Sequence, residues 1–177
     1  MIKIDVDDKQ VIAAMERLAK AAANPRPALK AIGEALVTST KARFQTSTAP
    51  DGSRWAPNSQ ATYLRDLGSA KSLHRKDGRI NSKGAGKVMG KRPLIGETGN
   101  LSQQIHWRVD ADALLVGSTM EYAATQQFGA EQGAFGRDKR NHPIPWGDIP
   151  ARPFLGVSDQ DASKIMSIVN EYLRGAL

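Results

Sequence analysis

The sequence predicts an α+β fold, with three amphipathic helices packed on a small, mostly antiparallel sheet and one long basic loop. Apolar residues recur at helical spacing near both ends of the chain, and short stretches of alternating apolar and polar residues lie between them. One cationic segment rich in glycine shows neither period. A chain of 177 residues can bury a core without disulfides or metals, so we expect a single domain over residues 1–177.

The first part of the chain predicts a strand followed by two helices. Apolar and polar residues alternate over residues 1–6, which is typical of a strand. Asp7 or Asp8 can cap a helix that runs to about Ala23, and a second helix runs to about Phe44 after a proline-containing turn. The apolar stripes predicted for the two helices are Val11, Ile12, Met15, Leu18 and Ala22, and Leu29, Ile32, Leu36 and Phe44. Two such helices in sequence should pack as a pair.

The second part of the chain predicts a β-hairpin and a closing helix. Residues 105–109 alternate, residues 110–112 form a tight connection, and residues 114–117 are the partner strand. Ser158 or Asp159 caps the last helix, which has an apolar face of its own. The shorter predicted elements are helices over 59–67 and 121–128 and a strand over 154–157.

The positive charge is concentrated in an insert at about residues 65–92. The chain has 25 lysines and arginines against 18 aspartates and glutamates; nine of these cations and two of these acids lie in the insert, so the rest is balanced. Because its few apolar residues show no period, the insert is predicted to be a flexible loop. A solvated loop, contact with phosphates, and docking on an acidic protein surface all fit this composition. The cations expected to contact DNA or a partner are Lys71, Arg75, Lys76, Arg79, Lys83, Lys87, Lys91 and Arg92.

No catalytic, cofactor-binding or metal-binding residue is expected. The chain has no cysteine, which excludes disulfides, thiol nucleophiles and iron–sulfur clusters. Its three histidines are 32 and 36 residues apart, so no pair lies on one helix face as metal ligands would. The glycines of residues 84–90 lack the spacing of a P-loop. No membrane span or signal peptide is predicted, and we expect a protein that is made in a cytoplasm and does not bind membranes.

Several large aromatic residues lie in or beside predicted loops: Trp55, Phe128, Phe135, Trp146 and Phe154. Aromatic side chains in loops often fill a groove at a contact surface between proteins. They also pack beneath long loops of their own chain. The pattern leaves both roles open.

Four blocks in one order carry a resemblance to a known family. Residues 50–57 read PDGSRWAP and residues 98–101 read TGNL. Residues 116–129 contain VGS, YA and QFG, and residues 149–156 read IPARPFLG. With the helices at both ends, these blocks resemble those of the phage virion morphogenesis proteins, the tail-completion and neck proteins of tailed bacteriophages. The resemblance covers nearly the whole chain and says least about the basic insert.

This resemblance implies a structural protein without catalysis or cofactors, found at the neck or the head-proximal tail end of the virion and in the host cytoplasm during assembly. It implies a ring of identical subunits, with six as one option. Its neighbours would be connector and tail-tube proteins. The charge of the basic insert adds the expectation of non-specific contact with phage DNA in the channel. A tail terminator ring is an alternative position for it. From another class, a sequence-independent nucleic-acid-binding protein fits the basic insert.

The resemblance and the loop positions together predict an assembly interface. Subunits of a ring meet through two different patches, and large aromatic residues and arginine are the usual energetic centres of such patches. Some of these residues can instead be used inside the chain, for example to hold the loop before the last helix. The predicted interface residues are Trp55, Tyr122, Phe128, Arg152 and Phe154.

Overall fold

The computed structural model describes residues 9–68, 71–96 and 98–177, and in them seven helices accompany one antiparallel β-hairpin. The predicted α+β class is therefore confirmed. The strand predicted over residues 1–6 and the caps Asp7 and Asp8 lie outside the described residues. The elements are α1 (Lys9–Ala22), α2 (Arg26–Thr46), α3 (Gln60–Leu67), a 3-10 turn (Lys71–Leu73), α4 (Ser82–Gly90), α5 (Asn100–Gln103), β1 (Ile105–Asp110), β2 (Ala113–Ser118), α6 (Ala123–Phe128) and α7 (Asp159–Arg174).

The chain divides into two compact units. Unit 1 consists of Met1–Ser39, His106–Gly117 and Val157–Leu177, and unit 2 consists of Thr40–Ile105 and Ser118–Gly156. Unit 1 thus holds α1, α7 and most of the hairpin, whereas unit 2 holds α3 to α6 and the long loops.

In unit 1, α1 packs against α7, and the Tyr172 hydroxyl donates to the carbonyl oxygen of Asn24 at 2.7 Å. At another point α2 approaches β1 closely. A Cβ on Gly33 would lie 2.6 Å from the Trp107 ring, so only glycine permits this contact. The apolar stripe predicted for α1 is not part of the core, because no α1 residue is buried and Met15 is 66% exposed.

The start of α7 is fixed by a reciprocal capping box. The Ser158 side chain accepts a hydrogen bond from the Asp161 backbone, and the Asp161 carboxylate accepts one from the Ser158 backbone at 2.9 Å. This arrangement satisfies two backbone N–H groups that a helix N-terminus otherwise leaves unpaired. The cap predicted at Ser158 or Asp159 is therefore Ser158.

We expect Ser158→Ala to lower the free energy of unfolding by about 1 kcal/mol, because removing an N-cap hydroxyl leaves its backbone donor unpaired. Chemical denaturation followed by circular dichroism measures this loss. Ser163→Ala is the matched control, since Ser163 lies within α7 and its hydroxyl donates only to the carbonyl of the preceding turn. Equal losses in both variants would contradict the importance of the cap.

The core of unit 2 is built on three aromatic rings. The Phe44 ring at the end of α2 lies 5.3 Å from the Trp55 ring and 5.4 Å from the Phe154 ring, centroid to centroid. Phe44 and Phe154 are completely buried, as is nearly all of Ile105. Tilted and edge-on ring pairs at these distances are favourable beyond the apolar area that they bury.

The basic insert contains more structure than the sequence predicts. Asn81 caps α4 by accepting hydrogen bonds from the backbone of Lys83 and Gly84 at 2.9 and 3.0 Å. Gly84 lies so close to Leu73 and Ile80 that a Cβ there would stand 2.5 Å from the Leu73 carbonyl oxygen. Glycine disfavours a helix in isolation, but the cap and this close packing offset that preference. The prediction of a continuous loop over the insert is therefore wrong for residues 82–90.

The prediction of a strand over residues 154–157 is also wrong. This segment is irregular, and the backbone of residues 154–156 is bonded to the side chains of Arg43 and Gln127. Helices α3 and α6 match the short helices that the sequence predicts, and α3 is capped by Ser59.

Candidate assembly surface

Three of the predicted interface residues hold two loops of unit 2 together. The Trp55 indole donates to the Pro153 carbonyl at 2.8 Å. The Arg152 guanidinium donates through Nε and Nη2 to the carbonyls of Ala56 and Pro57, both at 2.8 Å. Trp55, Arg152 and Phe154 are 6%, 7% and 0% exposed. Their burial and hydrogen bonds therefore favour an intramolecular role for these three residues. Of the two roles that the sequence leaves open, this is packing within the chain and not contact with another protein.

Two further residues that sequence reasoning missed fix the same segment. Gln127 accepts hydrogen bonds from the backbone of Phe154 and Leu155 through one side-chain oxygen, both at 3.0 Å. Arg43 donates to the carbonyls of Phe154 and Gly156 at 2.9 Å. Gln127 lies in the QFG block, so that block carried a signal for it. A buried arginine at the end of a helix carries no such signal.

The end of α6 and the loop after it present apolar side chains outward. We call residues 128–146 the aromatic loop, because Phe128 is 78%, Phe135 56% and Trp146 76% exposed. Backbone hydrogen bonds order the loop: Phe135 donates to the Ile144 carbonyl at 2.7 Å, and Ile144 donates to the Gly136 carbonyl at 2.8 Å. Neighbouring exposed apolar residues on an ordered loop are typical of a protein–protein contact surface.

Gly129 sets the path of the chain between α6 and this loop. Its φ is +78°, and a Cβ at this position would lie 2.8 Å from the Ile149 carbonyl oxygen and 2.9 Å from the Ala151 nitrogen. Ala130 and Ile149 then bridge the two sides of the loop with hydrogen bonds of 3.0 and 2.7 Å. The exposed Phe128 ring is therefore attached directly beside a tightly packed glycine.

A polar cavity of about 600 Å³ lies within unit 2, beside α3 and α6. It brings together four of the predicted site residues, which lie far apart in the sequence: Lys91, Arg92, Tyr122 and Arg152. We call it the basic cavity, because its lining includes four cations and one acid: Arg65, Lys91, Arg92, Arg152 and Asp148. Its volume lies within the range typical of ligand pockets.

The charged groups in and near the basic cavity differ in their burial and in their bonding partners. Burial lowers the pKa of Arg152, an effect that Tyr63 partly opposes. The ammonium group of Lys91 bonds to the Asp66 carboxylate and, as the largest cause, lowers the pKa of that carboxyl group. Lys87 also bonds to Asp66, donating to its backbone carbonyl at 2.7 Å. Arg92 donates to the Gln45 side chain at 2.8 Å.

Five predicted contact cations do not line the basic cavity and are exposed: Arg75, Lys76, Arg79, Lys83 and Lys87. The side chain of Lys71, another predicted contact residue, lies outside the described part of the structure. Among the described residues, no group of three or more histidine or acidic side chains has the arrangement of a metal site. None of the described helices is long and apolar enough to cross a membrane.

An ordered loop with exposed aromatic rings is typical of a surface that contacts other proteins. The profile of the phage virion morphogenesis family matches residues 6–174, and the chain belongs to this family of phage virion structural proteins. It is 27% identical over 175 residues to the Mu-like prophage FluMu G protein 2 of Haemophilus influenzae, with 98% of this chain and 97% of that protein aligned. No solved structure shows a significant match to the chain.

Proposed function

We propose that this protein completes the tail and joins it to the head at the phage neck, acting as a ring of identical subunits. Family membership over residues 6–174 supports a structural role in the virion. A ring needs one patch on each subunit that meets a different patch on the next. Its partners would be connector and tail-tube proteins, and it would have no catalytic role.

The observation that carries the proposal is the exposure of Phe128 and Trp146, each more than three-quarters exposed on an ordered loop. Large aromatic rings in such positions are the residues whose truncation costs most binding free energy at protein interfaces. Tyr122, the other predicted interface residue that is exposed, is 43% exposed and lines the basic cavity. We therefore assign the aromatic loop to contact with a neighbouring subunit or virion protein.

The exposed cations of the basic insert support a secondary contact with DNA. Arg75, Lys76, Arg79 and Lys83 are exposed, and Asp77 is the acid among residues 75–83. Such a cluster neutralises phosphates without reading base sequence. In a ring around the channel these side chains would contact the passing genome. Binding of the purified protein to DNA that falls steeply with salt would support this contact.

We expect the double variant Phe128→Ser, Trp146→Ser to fold normally and to fail in particle assembly. Each aromatic truncation at an interface centre costs about 2 kcal/mol or more, so joined particles should fall at least about tenfold. The measurement is complementation of a phage that lacks this gene, with heads, tails and joined particles counted by electron microscopy. Unattached tails of normal length indicate a joining role, whereas tails of abnormal length indicate a tail terminator.

Met89→Ser is the matched control, because Met89 is 87% exposed but belongs to α4 and not to the aromatic loop. It should complement like the wild-type protein. Normal numbers of joined particles with the double variant would contradict the assignment of the loop. Denaturation curves of all variants show whether they are folded.

A further inference from the structure

The basic cavity contains hydrogen-bond donors that the described part of the chain does not satisfy. The side-chain Nδ2 of Asn58 is buried and has no hydrogen-bond partner there. Arg152, 7% exposed, donates through Nε and Nη2 to carbonyl oxygens, and its third nitrogen, Nη1, has no described partner but is not completely buried. A buried amide donor and a buried guanidinium without a carboxylate are costly unless a ligand supplies acceptor oxygens.

The charge around these donors favours an anion. The Arg65 side chain is exposed at the cavity and forms no hydrogen bond or ion pair with the described residues. Lys91 and Arg92 are held by Asp66 and Gln45, so their positions are fixed. The single acid in the lining, Asp148, already accepts a hydrogen bond from the Gln132 backbone at 2.8 Å. The cavity therefore has an excess of positive charge and of N–H donors, the requirements for binding a carboxylate.

The chain itself carries a segment with complementary chemistry. The β1–β2 hairpin turns at Asp110, Ala111 and Asp112, all exposed, and neither aspartate forms an ion pair with the described residues. Ala111 has a φ of +50°, a conformation rare for any residue other than glycine, asparagine or aspartate. Two unpaired carboxylates at the tip of a hairpin are well suited to enter a cavity on another molecule.

We propose that the basic cavity binds carboxylates and that its occupant is the Asp110–Asp112 hairpin tip of a second copy of this chain. The two patches differ, one on unit 1 and one on unit 2, so the contact is head-to-tail and can close into a ring. Asn58 and Arg152 donate to the carboxylate oxygens, while Arg65 neutralises the second charge. This inference rests on the ring arrangement proposed above.

The geometry favours a protein carboxylate over a DNA phosphate. Arg152 is 7% exposed and lines the cavity, so a ligand has to enter the cavity to reach its guanidinium. The phosphates of a duplex are spread over a wide, regular surface. Exposed cations such as Arg75 and Lys83 meet such a surface more readily than the cavity does.

The first test uses a peptide with the sequence of residues 109–113, acetyl-Val-Asp-Ala-Asp-Ala-amide, and the full-length protein. NMR titration should shift the Asn58 side-chain amide and the Arg152 Nε–H resonances. The same peptide with both aspartates replaced by asparagine should leave them unchanged. Equal shifts with both peptides, or no shift with either, overturn the proposal. Shifts with inorganic phosphate but not with the aspartate peptide overturn it in favour of a phosphate site.

Variants then identify the residues that bind the peptide. Arg65→Glu should weaken peptide binding about tenfold, because a like charge then faces the carboxylates. Arg75→Glu makes the same charge reversal at an exposed position outside the cavity, so this variant should bind the peptide as tightly as the wild-type protein does. Equal weakening by both variants would show that net charge, and not the cavity, governs binding.

Self-association supplies the second test. Arg65→Glu alone and Asp112→Lys alone should each weaken association measured by sedimentation, and combining them in one chain should restore it. Unchanged association of Arg65→Glu overturns the pairing while leaving the ring in place. If the wild-type protein binds the peptide but does not self-associate, either alone or on tails, the proposed ring is wrong. The proposal that the basic cavity binds carboxylates then still holds.

Discussion

Phe44→Ala is expected to lower the free energy of unfolding by about 3–5 kcal/mol, as for other fully buried phenylalanines. The Phe44 ring is completely buried and makes both ring contacts of the unit 2 core, with Trp55 and Phe154. Alanine continues α2 without strain, so the loss comes from the cavity and the missing ring contacts and not from the helix. Urea denaturation followed by tryptophan fluorescence measures it.

Phe128→Ala is the matched control for this prediction. It removes the same side chain from a position that is 78% exposed, so the free energy of unfolding should change by less than about 0.5 kcal/mol. Since Phe128 belongs to the proposed assembly surface, this variant separates stability from assembly. A large loss of stability in Phe128→Ala would show that its ring packs on the core in solution.

Gly129→Ala is the other single change with a large expected effect, a loss of about 2–6 kcal/mol in the free energy of unfolding. The backbone at Gly129, with φ +78° and ψ 178°, lies in a region that is essentially restricted to glycine, which accounts for about 1–3 kcal/mol. The added Cβ would also clash with the backbone of Ile149 and Ala151, which adds about 1–3 kcal/mol. Thermal and urea denaturation measure the total.

Gly136→Ala separates these two contributions. Gly136 also has a positive φ, +89°, but a Cβ there would meet nothing within 4 Å. In this variant the free energy of unfolding should fall only by the cost of the positive φ, about 1–2 kcal/mol. If Gly129→Ala is no more destabilised than Gly136→Ala, the close approach of Gly129 to the backbone of residues 149–151 does not exist in solution.

Local patterns predicted much of the secondary structure. Helical spacing gave α2 and α7, alternation gave the β1–β2 hairpin, and Ser59 and Ser158 act as the caps that their residue types favour. These features depend on neighbours within a few residues. Helix α4 was missed because its glycines oppose helix formation and its stabilising contacts, with Leu73 and Ile80, depend on folding back of the chain.

The candidate site was predictable only in part. For the aromatic residues in loops the sequence left two roles open, a contact surface or internal packing. Phe128 and Trp146 are exposed, whereas Trp55 and Phe154 are in the core. Their residue types are the same, so only the tertiary contacts across about a hundred residues distinguish the two groups. The basic cavity likewise joins Asn58, Arg65 and Arg152, and no local pattern records that proximity.

The position of Phe128 beside Gln127 has a consequence for the energetics of docking. Gln127 is bonded to the backbone of residues 154 and 155, and Gly129 is packed against residues 149–151, so the backbone that carries the exposed ring is held on both sides. Little conformational entropy is then lost when a partner covers the ring. Preorganisation of this kind lets a small apolar contact contribute most of its intrinsic binding free energy, which favours repeated, stepwise addition of subunits.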